Sequence, residues 1–185
     1  LETGEILRQR LYSMARSALA CACLTACASG RPGEPAPLRS GGLPQQAAST
    51  AVSDTPLGRA VVRAINVYRT TGQLVTNGTL QRAAAVHAND MAIRDYAGHH
   101  NPEGQGPVDR VLAIDEDYQR RIGETIWMGQ IPAGRSDAQI AAMVIDAWSN
   151  SPRHRTIVEA SRNTQVGIGT AQKGDAYYVV AVFSD

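Results

Sequence analysis

Three side chains on separate segments of the chain have the chemistry to form one polar site. His99 and His154 supply imidazoles, and Glu124 lies between them in sequence as a carboxylate. Two imidazoles and a carboxylate can hold zinc with a water in the open position. The same groups can also form a hydrogen-bonded surface network that binds nothing. The residue types alone leave both interpretations open.

No catalytic motif of fixed spacing decides between these interpretations. The chain has no His-Glu-x-x-His pair, no Cys-x-x-Cys pair and no phosphate-binding loop. Ser151 is close to His154 in sequence, but it lies in no nucleophile elbow. A hydrolase built on this site would therefore need a metal-bound water, with Glu124 as its base.

Helical patterns precede both histidines. Asp54-Thr55-Pro56 is a typical helix start, and apolar residues then recur every three or four positions as far as Tyr68. Asn77 can cap a second helix, in which His87 shares the apolar stripe with Leu80. We therefore predict that His87 is a core histidine bonded to backbone rather than a ligand.

The two candidate ligands follow the ends of predicted helices. The second helix runs into a polar loop rich in Gly and Pro, which carries His99. A capping box, Ser136 with Gln139, opens a later helix, and Pro152 cannot continue it. His154 is therefore expected just beyond a helix C-terminus, where the helix dipole favours a protonated imidazole.

Strand patterns supply the remaining elements. Residues 121–127 alternate apolar and polar side chains, which predicts a short strand that carries Glu124. Residues 164–171 and 176–183 are typical of two further strands, with a turn at 172–175 that makes an antiparallel hairpin. Helices followed by a sheet from the last third of the chain indicate an α+β fold in layers.

Composition separates a leader and a linker from one folded domain. The three cysteines all fall within residues 1–27, whose end, Leu24-Thr25-Ala26-Cys27, resembles a bacterial lipobox with Cys27 as the lipidated residue. Plain secretion and an unprocessed tail are the alternatives. Residues 28–55 form a Pro/Gly/Ala/Ser-rich linker, and residues 56–185 form the domain. The net charge of +1 and the lack of a long apolar run predict neither nucleic-acid binding nor a transmembrane helix.

Five motifs in order make the sequence resemble the bacterial branch of the CAP superfamily (cysteine-rich secretory, antigen 5, pathogenesis-related 1 proteins), whose domain is also called SCP. These motifs are His87-Ala88-Asn89-Asp90-Met91-Ala92, Gly98-His99-x-Asn101-Pro102-Glu103-Gly104, Gly123-Glu124-Thr125-Ile126, Trp148-x-Asn150-Ser151-Pro152-x-His154-Arg155 and Val166-Gly167-Ile168-Gly169.

The resemblance implies a three-layer α-β-α sandwich with a small, mostly antiparallel sheet, in an exported protein. It also implies a cleft with two histidines and two acids, which in some members binds zinc or another divalent cation. By motif, the histidines map to His99 and His154, and the first acid maps to Glu124. The second acid is missing, because Ser149, Asn150 and Ser151 stand at its place. Glu159 lies nearby in sequence and could substitute.

These observations predict a secreted or envelope-tethered module whose two-histidine cleft binds a divalent metal, a peptide or a lipid without catalysis. His99 and His154 would be the metal ligands, and Glu124, Asn150 and Ser151 would support the cleft. Zinc or another divalent cation is the candidate ion, though none is obligatory. Expected partners are an envelope peptide, lipid or protein, with no nucleic acid, and with membrane contact only through the anchor. A metal-assisted hydrolase of envelope peptides or glycans and a purely structural domain are the alternatives.

Overall fold

The structure is a computed structural model that describes residues 54–185. The predicted leader, the lipidation site at Cys27 and nearly all of the predicted linker lie outside the described residues. None of the described helices is long and apolar enough to cross a membrane.

The described chain forms five helices and four strands. In chain order these are α1 (Pro56–Tyr68), β1 (Val75–Thr76), α2 (Gly78–Arg94), α3 (Pro107–Leu112), β2 (Ile122–Gln130), α4 (Asp137–Asn150), α5 (Pro152–Val158), β3 (Gln165–Lys173) and β4 (Ala176–Ser184).

The predicted helix starts are present with their capping bonds. The side chain of Thr55 accepts a hydrogen bond from Gly58 N–H at the start of α1, and Asn77 accepts from two backbone N–H groups at the start of α2. Ser136 and Gln139 form the reciprocal capping box that opens α4. These short polar motifs satisfy backbone donors that a helix leaves open, so local sequence is sufficient to place them.

The four strands form one sheet in the order β1-β3-β4-β2. The hairpin of β3 and β4 is antiparallel as predicted, and β2 pairs antiparallel with β4 along its whole length. The strand predicted over residues 121–127 is longer in the structure, because β4 gives β2 a partner as far as Gln130. β1 was not predicted: it has two residues, both exposed, and runs parallel to β3.

Helices cover both faces of this sheet, which confirms the α+β sandwich. Alternate residues of β4 point to opposite sides. Val179, Ala181 and Phe183 pack in one core with α1 and α4. Val180 and Val182 pack in a second core with α2 and α3.

Helix α2 lies directly on β3 because two glycines leave room for its backbone. A Cβ at Gly167 would lie 2.1 Å from the backbone nitrogen of Gln81, and one at Gly169 would lie 2.1 Å from the carbonyl carbon of Ala84. No side chain fits at such a distance. The alternating glycines of the Val166-Gly167-Ile168-Gly169 motif therefore determine how closely this layer packs.

Candidate functional site

The loop that carries His99 is attached to α2 at two points. Nε2 of His87 lies 2.7 Å from the carbonyl oxygen of Gly98, so His87 is a buried core histidine bonded to backbone, as predicted. Burial is the main cause that lowers the pKa of His87. Arg94 donates to both carboxylate oxygens of Glu103, over 2.8 and 2.7 Å, in a bidentate pair across the loop.

Arg110 of α3 holds the same loop from the inside. Its guanidinium donates to the carbonyl oxygen of His99 over 3.2 Å and to that of Gln105 over 2.9 Å. A further bond from the same group reaches Oε2 of Glu124 over 2.7 Å. Arg110 is 7% exposed, so these bonds lie away from bulk water. One buried cation thus joins the loop to β2.

Glu124 has both of its carboxylate oxygens occupied. Its Oε1 lies 2.9 Å from Nδ1 of His99, and its Oε2 accepts from Arg110. Glu124 points to the same side of the sheet as Ile122 and Ile126, which places it between β2 and α3. The strand predicted from alternation is therefore what brings this acid to the loop.

The bond to Glu124 determines which nitrogen of His99 is available. Nδ1 is used, so the free ring nitrogen is Nε2. The side chain of His99 is 49% exposed, whereas that of Glu124 is 2% exposed. The hydrogen bond to the Glu124 carboxylate raises the pKa of His99 above its ordinary value. A carboxylate that holds the second nitrogen of an imidazole is also the usual support of a metal-binding histidine.

The predicted position of His154 was wrong in one respect. α4 ends at Asn150, before Pro152, as predicted, but Pro152 also begins a further helix, α5, and His154 lies in its first turn. Proline is favoured at this position because its missing N–H is one that a helix start leaves unbonded anyway. The dipole of α5 therefore opposes a positive charge on His154, an effect that the position after α4 alone did not predict.

His154 and His99 influence each other electrostatically. Burial lowers the pKa of His154, and the charge of His99 lowers it further. His154 is half-buried. The charge of His99 thus acts on the imidazole of His154. That the two imidazoles share one site remains a prediction.

A second buried arginine anchors the far end of α5. Arg69 donates to the carbonyl oxygen of Val158 and, over 3.1 Å, to that of Asn163. It is 7% exposed, like Arg110. Each candidate ligand therefore lies on a segment that a buried guanidinium attaches to the core. Neither arginine is identifiable from sequence, because a lone Arg inside an amphipathic pattern resembles a solvated one.

The residues predicted to support the cleft make local contacts. The exposed side chain of Asn150 donates to Asp146 over 3.0 Å, one turn earlier in α4. Ser151 joins α4 to α5: its N–H donates to the carbonyl oxygen of Trp148, and its own carbonyl oxygen accepts from Arg155. Their role in the cleft remains a prediction.

Glu159 directly follows α5, but its carboxylate contacts α1. It accepts a hydrogen bond of 2.7 Å from the hydroxyl of Tyr68 on α1. That bond is the main cause that raises the pKa of Tyr68. The suggestion that Glu159 replaces the missing acid therefore finds no support in the contacts of its carboxylate.

The chemistry of the donor set would suit a divalent cation that keeps open positions. His99 Nε2 and the imidazole of His154 are suitable ligands for zinc, whereas the oxygens of Glu124 are already bonded. Among residues 54–185, no group of three or more His, Cys, Asp or Glu side chains could hold a metal ion. A closed structural zinc site needs four protein ligands, and these residues do not fit one.

The fold and the site together define a class: an α-β-α sandwich whose two histidines, one held by a buried acid, flank an edge strand. The sequence profile of the CAP family, described as the cysteine-rich secretory protein family, matches residues 62–183. The chain belongs to the CAP family. The predicted resemblance is confirmed.

A curated bacterial protein is similar in sequence to about half of this chain. The uncharacterized protein YkwD of Bacillus subtilis (strain 168) is 27% identical over 99 residues, which cover 54% of this chain and 35% of that protein. The chain thus spans about a third of the length of this relative.

Solved structures show the same fold at low identity. An outer surface protein from Borrelia burgdorferi has a TM-score of 0.61 at 18% identity, over 72% of this chain and 95% of its own. An extracellular protein containing a SCP domain from Bacillus anthracis has a TM-score of 0.55 at 22% identity. The match covers 69% of this chain and 40% of that protein. NaASP2, solved with Zn²⁺, has a TM-score of 0.50 at 14% identity. The match covers 70% of this chain and 80% of NaASP2.

Proposed function

We propose that this chain is an exported CAP module that binds a divalent cation between His99 and His154 and presents it to a ligand. The proposal rests mainly on the 2.9 Å bond between Nδ1 of His99 and buried Glu124, which leaves Nε2 of the same ring directed outward. With two protein ligands, the ion keeps positions for water or for polar groups of a peptide or lipid headgroup. Zinc is the candidate cation, because imidazole is among its preferred ligands.

Binding is favoured over hydrolysis by the contacts of Glu124. A general base must reach the proton of the attacking water, and the side chain of Glu124 is only 2% exposed. Both oxygens of Glu124 accept hydrogen bonds already, from His99 and from Arg110. Glu124 is therefore better suited to hold the imidazole than to take a proton from water. The metal-assisted hydrolase remains the alternative.

Location outside the cytoplasm is part of the proposal. Two similar structures are named as an outer surface protein and an extracellular protein. Lipidation of Cys27, at the end of the lipobox-like run, would tether the domain to a membrane, with residues 28–55 as a flexible stalk. Mass spectrometry of the N-terminus of the exported protein tests this: an acylated Cys27 supports the tether, and an unmodified N-terminus elsewhere contradicts it.

Zinc titration by calorimetry tests the metal site. The full chain is used, with Cys21, Cys23 and Cys27 replaced by Ser, because thiolates near the N-terminus would compete for zinc. We expect one site, and we expect its loss in the double variant His99→Ala/His154→Ala.

His100→Ala is the matched control for this titration. It removes the neighbouring exposed imidazole in the same loop and should leave zinc affinity unchanged. Equal affinity of the parent and the double variant would contradict the proposal and favour a structural role for the histidines. Turnover of an envelope peptide or glycan by the zinc-loaded protein, lost in His99→Ala/His154→Ala and kept in His100→Ala, would instead support the hydrolase.

A further inference from the structure

We infer that Arg110 is the positioning residue of the cleft, through which both the backbone and the ring of His99 are held in place. The inference rests on the proposed function, since it concerns how that site is prepared for its ligand. Arg110 does not reach a bound cation or ligand itself. It acts through the main chain of His99 and through Glu124.

The geometry of the guanidinium supports this role. One terminal nitrogen, Nη1, bonds the carbonyl oxygens of His99 and Gln105, over 3.2 and 2.9 Å. The other, Nη2, bonds the carbonyl oxygen of His99 over 3.2 Å and Oε2 of Glu124 over 2.7 Å. The planar fork thus ties both ends of the loop segment 99–105 to the strand that carries the acid.

Glu124 then transfers this constraint to the imidazole. Its Oε2 is held by Arg110, so the direction of its Oε1 is determined as well, and Oε1 is the atom that bonds Nδ1 of His99. The His99 residue is therefore held at two points, its carbonyl oxygen and its ring. Both holds depend on one side chain that is 7% exposed.

Two other contacts stabilise the loop without positioning the His99 ring. Arg94 bonds Glu103 at the surface, with side-chain exposures of 34% and 56%. Asn101 bonds Gln105 within the loop. These contacts shape the loop, but they do not touch Glu124 or the ring of His99. Arg110 alone, among the described residues, joins the main chain of His99 to the acid behind its ring.

An NMR experiment on the zinc-free full chain tests the inference. The ring nitrogens of His99 are observed through their two-bond couplings to the ring protons. At a pH well above the raised pKa of His99, where the ring is neutral, a held imidazole with Nδ1 protonated gives two widely separated nitrogen shifts, whereas a neutral ring that exchanges tautomers gives shifts that approach each other. We expect separated shifts in the wild type, convergence in Arg110→Met, and an intermediate pattern in Arg110→Lys, whose ammonium keeps the charge but not the fork.

Arg69→Met is the matched control. Arg69 is equally buried and also bonds main-chain carbonyls, but it holds the end of α5 rather than the loop of His99. We expect its His99 shifts to match those of the wild type. If Arg110→Met does not fold, Arg110→Lys decides in the same way. Wild-type shifts in the folded Arg110 variants, or equal convergence in Arg69→Met, would overturn the inference.

Zinc affinity is a second readout that keeps the two proposals separable. Loss of a group that orients a ligand typically weakens metal binding about 10- to 100-fold, and we expect Arg110→Met in this range. If the parent protein binds no zinc, the proposed function fails while the ring-shift test still stands. If the parent binds zinc and Arg110→Met binds it equally well, only the role of Arg110 is overturned.

Discussion

His99 and Glu124 are joined by a 2.9 Å contact between an imidazole that is half in solvent and a carboxylate that is 2% exposed. The acid is buried and the histidine is accessible, so only the histidine can contact a ligand from solvent. Such an arrangement holds a ring at the surface from beneath. Glu124 can remain there because Arg110, on its other oxygen, compensates its charge.

Replacing Glu124 by glutamine should destabilise the protein strongly. The amide keeps the shape of the side chain but leaves the buried guanidinium of Arg110 without its counter-charge. Removing one partner of a buried ion pair costs about 3–5 kcal/mol. Urea unfolding of Glu124→Gln against the wild type measures this. The surface pair offers the control: Glu103→Gln, opposite Arg94, should cost about 0–1 kcal/mol. A cost for Glu124→Gln as small as that of Glu103→Gln would show that the buried pair contributes little.

His99→Gln should raise the pKa of His154. The charge of His99 is one of the two causes that lower it, and burial is the other and larger cause. The pKa should therefore move toward, but not reach, the ordinary value of a histidine. Proton NMR titration of the His154 ring measures it, and His100→Gln serves as the control. An unchanged pKa in His99→Gln would contradict the electrostatic contact between the two imidazoles.

The two histidines should change the free energy of unfolding with pH in opposite senses. The pKa of His99 is raised, so its stabilising contribution is present below the ordinary histidine pKa and is lost as the pH rises through the raised value. The pKa of His154 is lowered, so the unfolded chain binds the proton first as the pH falls. His154 therefore destabilises the fold progressively below the ordinary histidine pKa.

Unfolding measurements between about pH 5 and 8 on single variants separate these contributions. Relative to the wild type, His154→Gln should gain stability toward the acidic end of that range, and His99→Gln should lose it there. The same pH dependence in both variants as in the wild type would contradict the two assigned shifts.

Gly167→Ala should destabilise the packing of α2 on β3. The added Cβ would lie 2.1 Å from the backbone of Gln81, which cannot move aside as a flexible side chain can. Overpacking of this kind costs about 1–3 kcal/mol or more. Gly78→Ala is the control, because open space surrounds a Cβ at that position in the first turn of α2. It should be neutral or should stabilise the protein by about 0.4–1 kcal/mol. Thermal unfolding of both variants measures the difference, and a tolerated alanine at Gly167 would contradict the close approach.

Glu159→Gln should leave zinc affinity unchanged. Its carboxylate bonds the hydroxyl of Tyr68, and the amide oxygen of glutamine can accept the same bond. The variant is measured by the zinc titration that tests His99 and His154. A tenfold or greater loss of affinity would mean that Glu159 contributes to the cleft after all, and would restore it as the second acid.

Local sequence was sufficient to predict most elements and their ends. Capping residues at Thr55, Asn77 and Ser136 satisfy nearby backbone groups, so they act over a few residues of chain and are readable in order. The turn at 172–175 between two strand-like runs predicted the hairpin of β3 and β4, and the ordered motifs predicted family and fold. The interpretation of Pro152 was incomplete: α4 ends before it as predicted, but the proline also begins α5, because proline is favoured at a helix start and the residues that follow continue as a helix.

The tertiary structure alone decided how the site is held. His99, Arg110 and Glu124 lie on a loop, a helix and a strand, and nothing in their spacing shows that one guanidinium bonds both of the others. Sequence identified the histidines and the acid as chemically able side chains. Their division into an outer imidazole, a buried acid and a buried cation depends on burial, which is a property of the packed layers and not of the residues.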